Sequence, residues 1–198
     1  MKALLPFRRQ CIIAGFLLLL TLPLFSAAQT KFAGSNLAVA VTGTSSLHNW
    51  EMKSNKAQCD ATITMGTDNI SFSNLTFSVP VESLKSGKGS MDKNAYKAMN
   101  TKKNENISFV ISSARNITQT SPNTYHYNGT GKLTINGVTK TTPMVATLKY
   151  NPTDKSFTCT GTKSFKMSEY GVKPPTAVFG TIKTGDAISI NYAFRIKS

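Results

Sequence analysis

His48 and Trp50 form the most chemically conspicuous pair in the chain, within the segment GTSSLHNWEM. The chain has one tryptophan and two histidines, and these two residues stand two positions apart. Alternate residues of a β-strand face the same side, so the spacing predicts that both side chains share one face. A histidine can serve as a general base or a metal ligand. The alternative is packing at a barrel end, with Trp50 as an apolar plug and His48 satisfied by backbone or water.

The catalytic and metal interpretations lack supporting residues. Nucleophilic catalysis needs a base within hydrogen-bond reach of the nucleophile, and neither His48 nor His126 lies in a nucleophile-elbow or related signature. The whole chain has nine acidic residues, which argues against a pair of carboxylates for general acid–base catalysis. A zinc site would have to collect His48, His126, Cys59 and Cys159 without compact ligand spacing. We therefore predict a protein that is not an enzyme and needs no metal or cofactor.

Residues 1–28 have the pattern of a signal peptide. Basic residues precede an apolar run over residues 12–25, and small residues lead to a predicted cleavage near Ala28. The run is shorter than the roughly 20 residues that a spanning helix needs. We expect a single domain over residues 29–198, located in the periplasm or secreted.

Export gives the two remaining cysteines two interpretations. Cys59 and Cys159 are an even pair, which in an oxidising compartment suggests a disulfide. Such a bond would close a loop of about 100 residues and contribute roughly 4–5 kcal/mol. Alternatively, both are buried thiols that behave as small apolar side chains. The sequence leaves both interpretations open.

The chain is strongly basic, with a formal net charge of +14. The predicted leader carries three basic residues and no acidic one, so the domain after it retains +11. A field of this sign attracts anions such as an anionic membrane surface. Export argues against nucleic acid as a partner, and the sequence does not predict the oligomeric state.

Alternating apolar residues predict antiparallel strands along most of the domain. The alternation is strict over residues 188–196 and recurs over residues 107–111 and 144–150. The inward set changes phase between Phe72 and Leu75, which predicts a bulge at Ser73-Asn74.

Glycines and turn residues interrupt these runs. Asn136-Gly137 is typical of a tight hairpin. Gly129 and Gly131 suggest a bend or bulge inside a strand.

Helical patterns are confined to two short segments. Ser90 and Asp92 could cap a helix over residues 91–99, and a short turn should begin at Ser168 and end at Gly171. Many strands with so few helices predict an all-β sandwich or barrel.

Four segments in order carry a resemblance to a known family: GTSSLHNWEM, VPVESLKSGKGSMDKNAYKAMNTKKNENISF, GTGKLTINGVTKTTPMVATL and FKMSEYGVKPPTAVFGTIKTGDAISINYAF. The chain resembles the YceI-like family, the polyisoprenoid-binding proteins of the bacterial periplasm. The resemblance implies an extended eight-stranded antiparallel lipocalin-like β-barrel, with one or two short helices and an isoprenoid chain in its lumen. It does not assign the ligand's headgroup.

The resemblance turns the inward aromatic and apolar residues into candidate ligand contacts. The expected lining is Phe72, Phe77, Phe109, Leu133, Phe165, Tyr170, Phe179, Tyr192 and Phe194, with Met91, Tyr96 and Met99 as a helical lid and Trp50 as a further contact. Inward aromatics more often pack a core than touch a ligand, so the set carries more weight than its members. Lys85, Lys88 and Ser90 are candidates for an anionic headgroup.

The predicted function is that of an exported protein that sequesters or carries a polyisoprenoid lipid, either an isoprenoid quinone or a prenyl phosphate. The alternative is a non-catalytic envelope protein, with a barrel filled by side chains and a basic surface for anionic partners. An unfilled apolar interior favours the first function, and a solid interior favours the second.

Overall fold

The computed structural model describes residues 29–66, 69–112, 114 and 117–198. The predicted signal peptide, residues 1–28, lies outside the described residues. The described part of the chain forms ten strands: β1 (Gln29–Ser45), β2 (Trp50–Met65), β3 (Ile70–Pro80), β4 (Asn106–Ile111), β5 (Ile117–Ser121), β6 (Thr124–Ile135), β7 (Val138–Asn151), β8 (Ser156–Lys166), β9 (Thr176–Ala177) and β10 (Ile182–Lys197). It also forms one α-helix, α1 (Gly89–Ala98), and two 3₁₀ turns, Val81–Ser83 and Met167–Tyr170.

Eight of these strands close into an antiparallel barrel. The order is β1-β2-β3-β4-β6-β7-β8-β10, and β10 pairs back with β1. The short strands β5 and β9 pair with β6 and β10 beside this ring. The predicted fold class, an eight-stranded lipocalin-like barrel with few helices, is confirmed. Because the eight strands close into a ring, the alternating apolar residues meet inside it.

Two local predictions about the strands are confirmed. The partners of Thr62 and Ile63 in β2 are Asn74 and Phe72 of β3, so Ser73 is the extra residue of a bulge. Ile135 pairs with Val138 across Asn136-Gly137. Both turn residues have positive φ, 51° and 75°, as a type I′ hairpin requires.

The bulge suggested at Gly129 and Gly131 is absent from the pairing of β6 with β7. Strand β6 pairs with β7 from Thr124 to Ile135 without a register shift. A Cβ at Gly131 would overlap the ring of Phe109, and one at Gly129 would overlap the ring of Tyr127. These glycines therefore make room for aromatic rings inside the barrel.

The predicted helix exists, but its start differs. It begins at Gly89 with Lys88 at the N-cap position and no capping side chain, so neither Ser90 nor Asp92 caps it. The Asp92 carboxylate instead accepts hydrogen bonds from the Ser86 amide and hydroxyl, at 2.8 and 2.6 Å, and braces the preceding loop.

The predicted second turn is confirmed, starting one residue earlier than expected at Met167. It ends at Gly171, whose φ of 67° suits the left-handed conformation of a C-cap.

Side chains fill the end of the barrel farthest from α1. Phe157 is fully buried there, with ring centroids 5.1 Å from Phe32, 4.9 Å from Tyr150 and 6.4 Å from Tyr125. We call this region the closed end and the region beside α1 the open end. In the part of the chain that the structure describes, no helix is long and apolar enough to cross a bilayer.

Candidate ligand-binding cavity

A cavity of about 930 Å³ occupies the open end of the barrel. Its walls come from β1, β2, β10, helix α1 and the segment 165–184, and they are mainly apolar. Met91 and Ala95 of α1 and Met99 at its C-cap line one side, because the helix packs that face against the barrel. Leu47 and Phe179 at the rim are exposed to solvent, so the cavity reaches the surface.

A narrower apolar channel of about 90 Å³ continues the cavity into the middle of the barrel. Four apolar residues line both spaces: Val41, Leu84, Ile107 and Ile190. The channel passes the stacked rings of Phe77 and Phe194, whose centroids are 5.4 Å apart. The interior is therefore neither an empty tube nor a solid core, since it is wide at the open end and packed at the closed end.

The barrel wall has a gap in its strand pairing between β7 and β8. These strands pair from Asn151↔Ser156 to Thr147↔Thr160, and the pairing stops there, short of the open end. We call the unpaired stretch, residues 138–146 of β7 facing residues 161–166 of β8, the side window. Pro143 suits such a position because its ring nitrogen cannot donate to a neighbouring strand.

Two side chains bridge the side window. The Lys163 ammonium donates to the Pro143 carbonyl at 2.9 Å, and the Tyr192 hydroxyl donates to the Val145 carbonyl at 2.9 Å. Lys163 lines the channel, and among the described residues no carboxylate forms an ion pair with it. The wall is thus closed here by side chains and not by a backbone ladder.

Most of the predicted lining residues lie around these two spaces. The wide cavity is lined by Trp50, Met91, Met99, Phe165, Tyr170 and Phe179, and the channel by Phe72, Phe77, Phe109, Leu133, Tyr192 and Phe194. Phe179 differs from the others because its side chain is fully exposed at the rim of the cavity.

Tyr96 lies outside both spaces. Its hydroxyl donates to the Leu84 carbonyl at 2.6 Å, which ties α1 to the preceding turn. Lys85 is also displaced from its predicted place, since its backbone pairs with Lys53 and its ammonium lies over the Tyr96 ring, 5.0 Å from the centroid. Lys88 and Ser90 do line the wide cavity.

His48 and Trp50 lie at the rim of the wide cavity. His48 is in the turn between β1 and β2, so the strand-parity argument for it is wrong, although both side chains line the wide cavity. The Trp50 indole donates to the Thr44 carbonyl at 2.9 Å. His48 Nδ1 lies 2.6 Å from the Asn49 carbonyl oxygen. Within the described residues, no group of three or more His, Cys, Asp and Glu is arranged to hold a metal ion.

Cys59 and Cys159 are buried free thiols in the structure. Cys59 pairs with Phe77 and Cys159 with Phe194, the two rings that stack across the barrel. Burial raises the pKa of each thiol to about 12. In the structure, therefore, Cys59 and Cys159 are unbonded thiols that pack as apolar side chains.

Lys163 is the interior residue that the sequence reasoning missed. Strand β8 alternates buried and exposed positions, and Lys163 falls on the interior set with Phe157, Cys159 and Phe165. Strand parity would have found it, but a lysine is normally assigned to a solvated face.

A closed antiparallel barrel with an apolar cavity open at one end belongs to the lipocalin-like class of β-barrels. More particularly, the chain belongs to the YceI-like domain family, whose family model matches residues 27–196. A search of curated proteins found no match.

Solved structures share this fold. BcnA from Burkholderia cenocepacia is 20% identical over 79% of this chain and 95% of its own, with a TM-score of 0.56. A polyisoprenoid-binding domain from Saccharophagus degradans, implicated in plant cell wall breakdown, is 6% identical over 86% of this chain and 99% of its own, with a TM-score of 0.62. At these identities the likeness shows the fold.

Proposed function

We propose that this protein is exported and binds a polyisoprenoid lipid in its lumen, which it sequesters or carries without performing chemistry on it. The observation that supports this most is the cavity of about 930 Å³ that leads into an apolar channel. Small-molecule sites commonly enclose about 300–1,000 Å³ and are mostly apolar. The Saccharophagus degradans domain of the same fold is described as polyisoprenoid-binding. Export rests on the leader pattern of residues 1–28.

The lining supplies affinity without directional chemistry. Removing apolar surface from water contributes roughly 25 cal/mol per Å², so each 100 Å² of buried prenyl tail contributes about 2.5 kcal/mol. Part of this gain is offset by the lost freedom of a flexible chain. The channel encloses only about 90 Å³ beyond Val41 and Ile190, which line both spaces, and this suits a slender tail more than a compact ligand.

The alternative, a filled barrel that acts only through its basic surface, requires packed side chains along the whole interior. Packing of that kind exists at the closed end around Phe157. It does not extend to the open end, where the wide cavity lies. The open half of the barrel therefore favours the carrier proposal.

Extraction of bound lipid tests this proposal. Protein purified from its native host should release close to one prenyl lipid per chain on organic extraction and mass spectrometry. Ile190→Trp places a large ring where the cavity meets the channel, so it should lower this yield severalfold while circular dichroism stays unchanged. Ala193→Trp is the matched control, because Ala193 is exposed on the outer face of the same strand. Repeatedly empty extracts from the unaltered protein would overturn the proposal.

Lys163 bears on whether the lipid is a quinone or a prenyl phosphate. Its ammonium lies at the channel wall with only a backbone carbonyl as its protein partner, so an anionic headgroup at the side window could bind it. A charge-assisted hydrogen bond contributes about 1.5 kcal/mol, equivalent to about tenfold in affinity. A prenyl phosphate is therefore the preferred ligand class.

Geranylgeranyl monophosphate and geranylgeraniol are a matched pair of probes for this preference. The unaltered protein should bind the phosphate about tenfold more tightly, and Lys163→Met should remove that difference while binding of the alcohol stays unchanged. Lys132→Met, on the exposed face of β6, is the control. Equal binding of both probes by the unaltered protein would instead favour an uncharged ligand such as a quinone.

A further inference from the structure

We propose that the turn Ala177–Gly180 docks the open end of the barrel onto an anionic lipid bilayer. This inference rests on the proposed function, because a carrier of a membrane lipid must meet the membrane where its cavity opens. It identifies a membrane-facing element, which we call the docking turn, and a partner, a bilayer surface rich in anionic headgroups.

Exposed apolar side chains are concentrated at this end of the molecule. In the described part of the chain, the large apolar residues that stand in solvent are Leu47, Val145, Val178 and Phe179, with exposures of 67, 43, 62 and 110%. All except Val145 line the mouth of the wide cavity. Single exposed apolar residues are ordinary, but a cluster around an opening indicates an interaction site.

The backbone of the docking turn makes its residue types more unusual. The Gly180 amide donates to the Ala177 carbonyl at 3.1 Å, and Val178 and Phe179 have φ values of 49° and 52°. Two consecutive residues with positive φ inside such a hydrogen bond resemble the centre of a type I′ turn, where Asn and Gly are favoured. A β-branched residue at positive φ is a steric outlier. The positive φ values disfavour Val178 and Phe179 at these positions, and water disfavours their exposed apolar side chains. Transfer into the apolar region of a bilayer would remove these side chains from water.

The charge of the rim complements an anionic surface. The rim segments 45–50 and 172–185 contain no acidic residue, and the two acids that flank them have partners, Glu51 the Lys53 ammonium and Asp186 the amide and hydroxyl of Ser168. They carry exposed Lys173 and Lys183. The Ser46 amide donates to the Lys183 carbonyl at 2.9 Å, which holds the two segments together. Apolar tips flanked by lysines are the usual composition of elements that insert into the headgroup region of anionic membranes.

The position of the docking turn links docking to lipid entry. Val178 and Phe179 belong both to the exposed tip and to the cavity lining. Insertion of this tip would bring the mouth of the cavity against the bilayer. A prenyl tail could then pass from membrane to lumen without crossing water.

Vesicle co-sedimentation tests the docking turn. Protein should pellet with vesicles of phosphatidylcholine and phosphatidylglycerol and bind those of phosphatidylcholine alone more weakly. The double variant Val178→Asn/Phe179→Gly installs the residues that a type I′ turn prefers, so it should fold at least as well. It should nevertheless bind the anionic vesicles about tenfold more weakly. Thermal unfolding checks the fold.

Matched variants distinguish insertion of the docking turn from non-specific hydrophobic adsorption and from electrostatic attraction. Val145→Asn removes the exposed apolar residue that lies away from the mouth and should leave vesicle binding unchanged. Lys173→Gln/Lys183→Gln should weaken binding to anionic vesicles and leave phosphatidylcholine binding unchanged. Unchanged vesicle binding by the docking-turn variant, or no vesicle binding by the unaltered protein, would overturn the inference.

The experiments distinguish a failure of the docking inference from a failure of the carrier proposal. If the protein retains a prenyl lipid but does not sediment with vesicles, docking is wrong and the carrier proposal stands. If it sediments with vesicles but binds neither geranylgeraniol nor its phosphate, the carrier proposal is wrong. The Lys173→Gln/Lys183→Gln variant should still bind geranylgeraniol added from solution, since neither lysine lines the wide cavity or the channel.

Discussion

At the residue scale, Tyr192 has a role beyond lining the lumen. Its ring lies along the channel, but its hydroxyl reaches Val145 on β7 across the side window. A Cβ at Gly161 would overlap the Tyr192 ring and hydroxyl, so the glycine provides the space for that reach. Burial raises the pKa of the Tyr192 hydroxyl, which keeps it protonated as a donor at neutral pH.

Gly161→Ala should therefore destabilise the barrel through Tyr192. We expect the free energy of unfolding, measured in urea, to fall by roughly 1–3 kcal/mol, as for overpacked core positions. In a Tyr192→Ala background the same substitution should cost much less. Gly89→Ala is the control, because a Cβ there meets nothing within 4 Å. Equal costs of Gly161→Ala in both backgrounds would show that the tyrosine is not the reason for the glycine.

Cys59 and Cys159 give a second prediction at this scale. Since burial raises the pKa of each thiol to about 12, neither should react with a thiol reagent at pH 8 in the folded chain that begins at Gln29. Both should react after unfolding in urea without a reductant. If unfolding releases no reactive thiol until a reductant is added, the two cysteines form a disulfide in the purified protein.

At the element scale, the 3₁₀ turn Met167–Tyr170 shows how a short element positions cavity residues. Met167 and Tyr170 line the wide cavity, and the Asp186 carboxylate of β10 holds the turn between them. It accepts hydrogen bonds from the Ser168 hydroxyl at 2.5 Å and the Ser168 amide at 2.8 Å. These hydrogen bonds lower the pKa of Asp186.

This lowered pKa predicts an acid-sensitive element. A carboxyl whose pKa is lower in the folded state stabilises the protein above its unfolded pKa, near 4, and loses that contribution as pH falls further. The unfolding temperature should therefore drop between about pH 5 and pH 3. Asp186→Asn and Ser168→Ala should each reduce this drop. They should not abolish it, because hydrogen bonds from Ser156 and Arg195 also lower the pKa of Asp154.

At the scale of the whole molecule, the barrel has two ends of different character. The closed end is held by the aromatic cluster around Phe157 and by the continuous pairing of β7 with β8. The open end has the wide cavity, the side window and the docking turn. Regions with fewer buried contacts and incomplete strand pairing open more readily, so the open end should be the more dynamic half.

Hydrogen exchange should show this difference directly. Amides of residues 147–151 and 156–160 should exchange slowly with or without ligand. Amides of α1 and of residues 172–184 should exchange faster, and added geranylgeranyl monophosphate should slow them severalfold. Equal protection of both ends by the ligand would mean that binding stabilises the fold as a whole and not at the open end.

The sequence by itself determined the antiparallel strands and most of their inward residues, and the family resemblance implied that they form a barrel. Alternation over residues 188–196, the phase change at Ser73-Asn74 and the hairpin at Asn136-Gly137 depend on a period of two and on turn chemistry, which are local properties of the chain. The family resemblance supplied the strand number.

Only the tertiary structure decided where the interior is open and where it is solid. The same alternation directs both Phe157 and Ile190 inward, yet Phe157 lies in a packed cluster and Ile190 beside a cavity. Whether side chains fill the interior depends on which of them meet across the barrel. It also removed Tyr96 from the predicted lid and Lys85 from the headgroup candidates, revealed Lys163 on the inner face and placed Phe179 at the exposed rim. Those outcomes depend on distances between residues far apart in the chain, which a pattern along one strand does not contain.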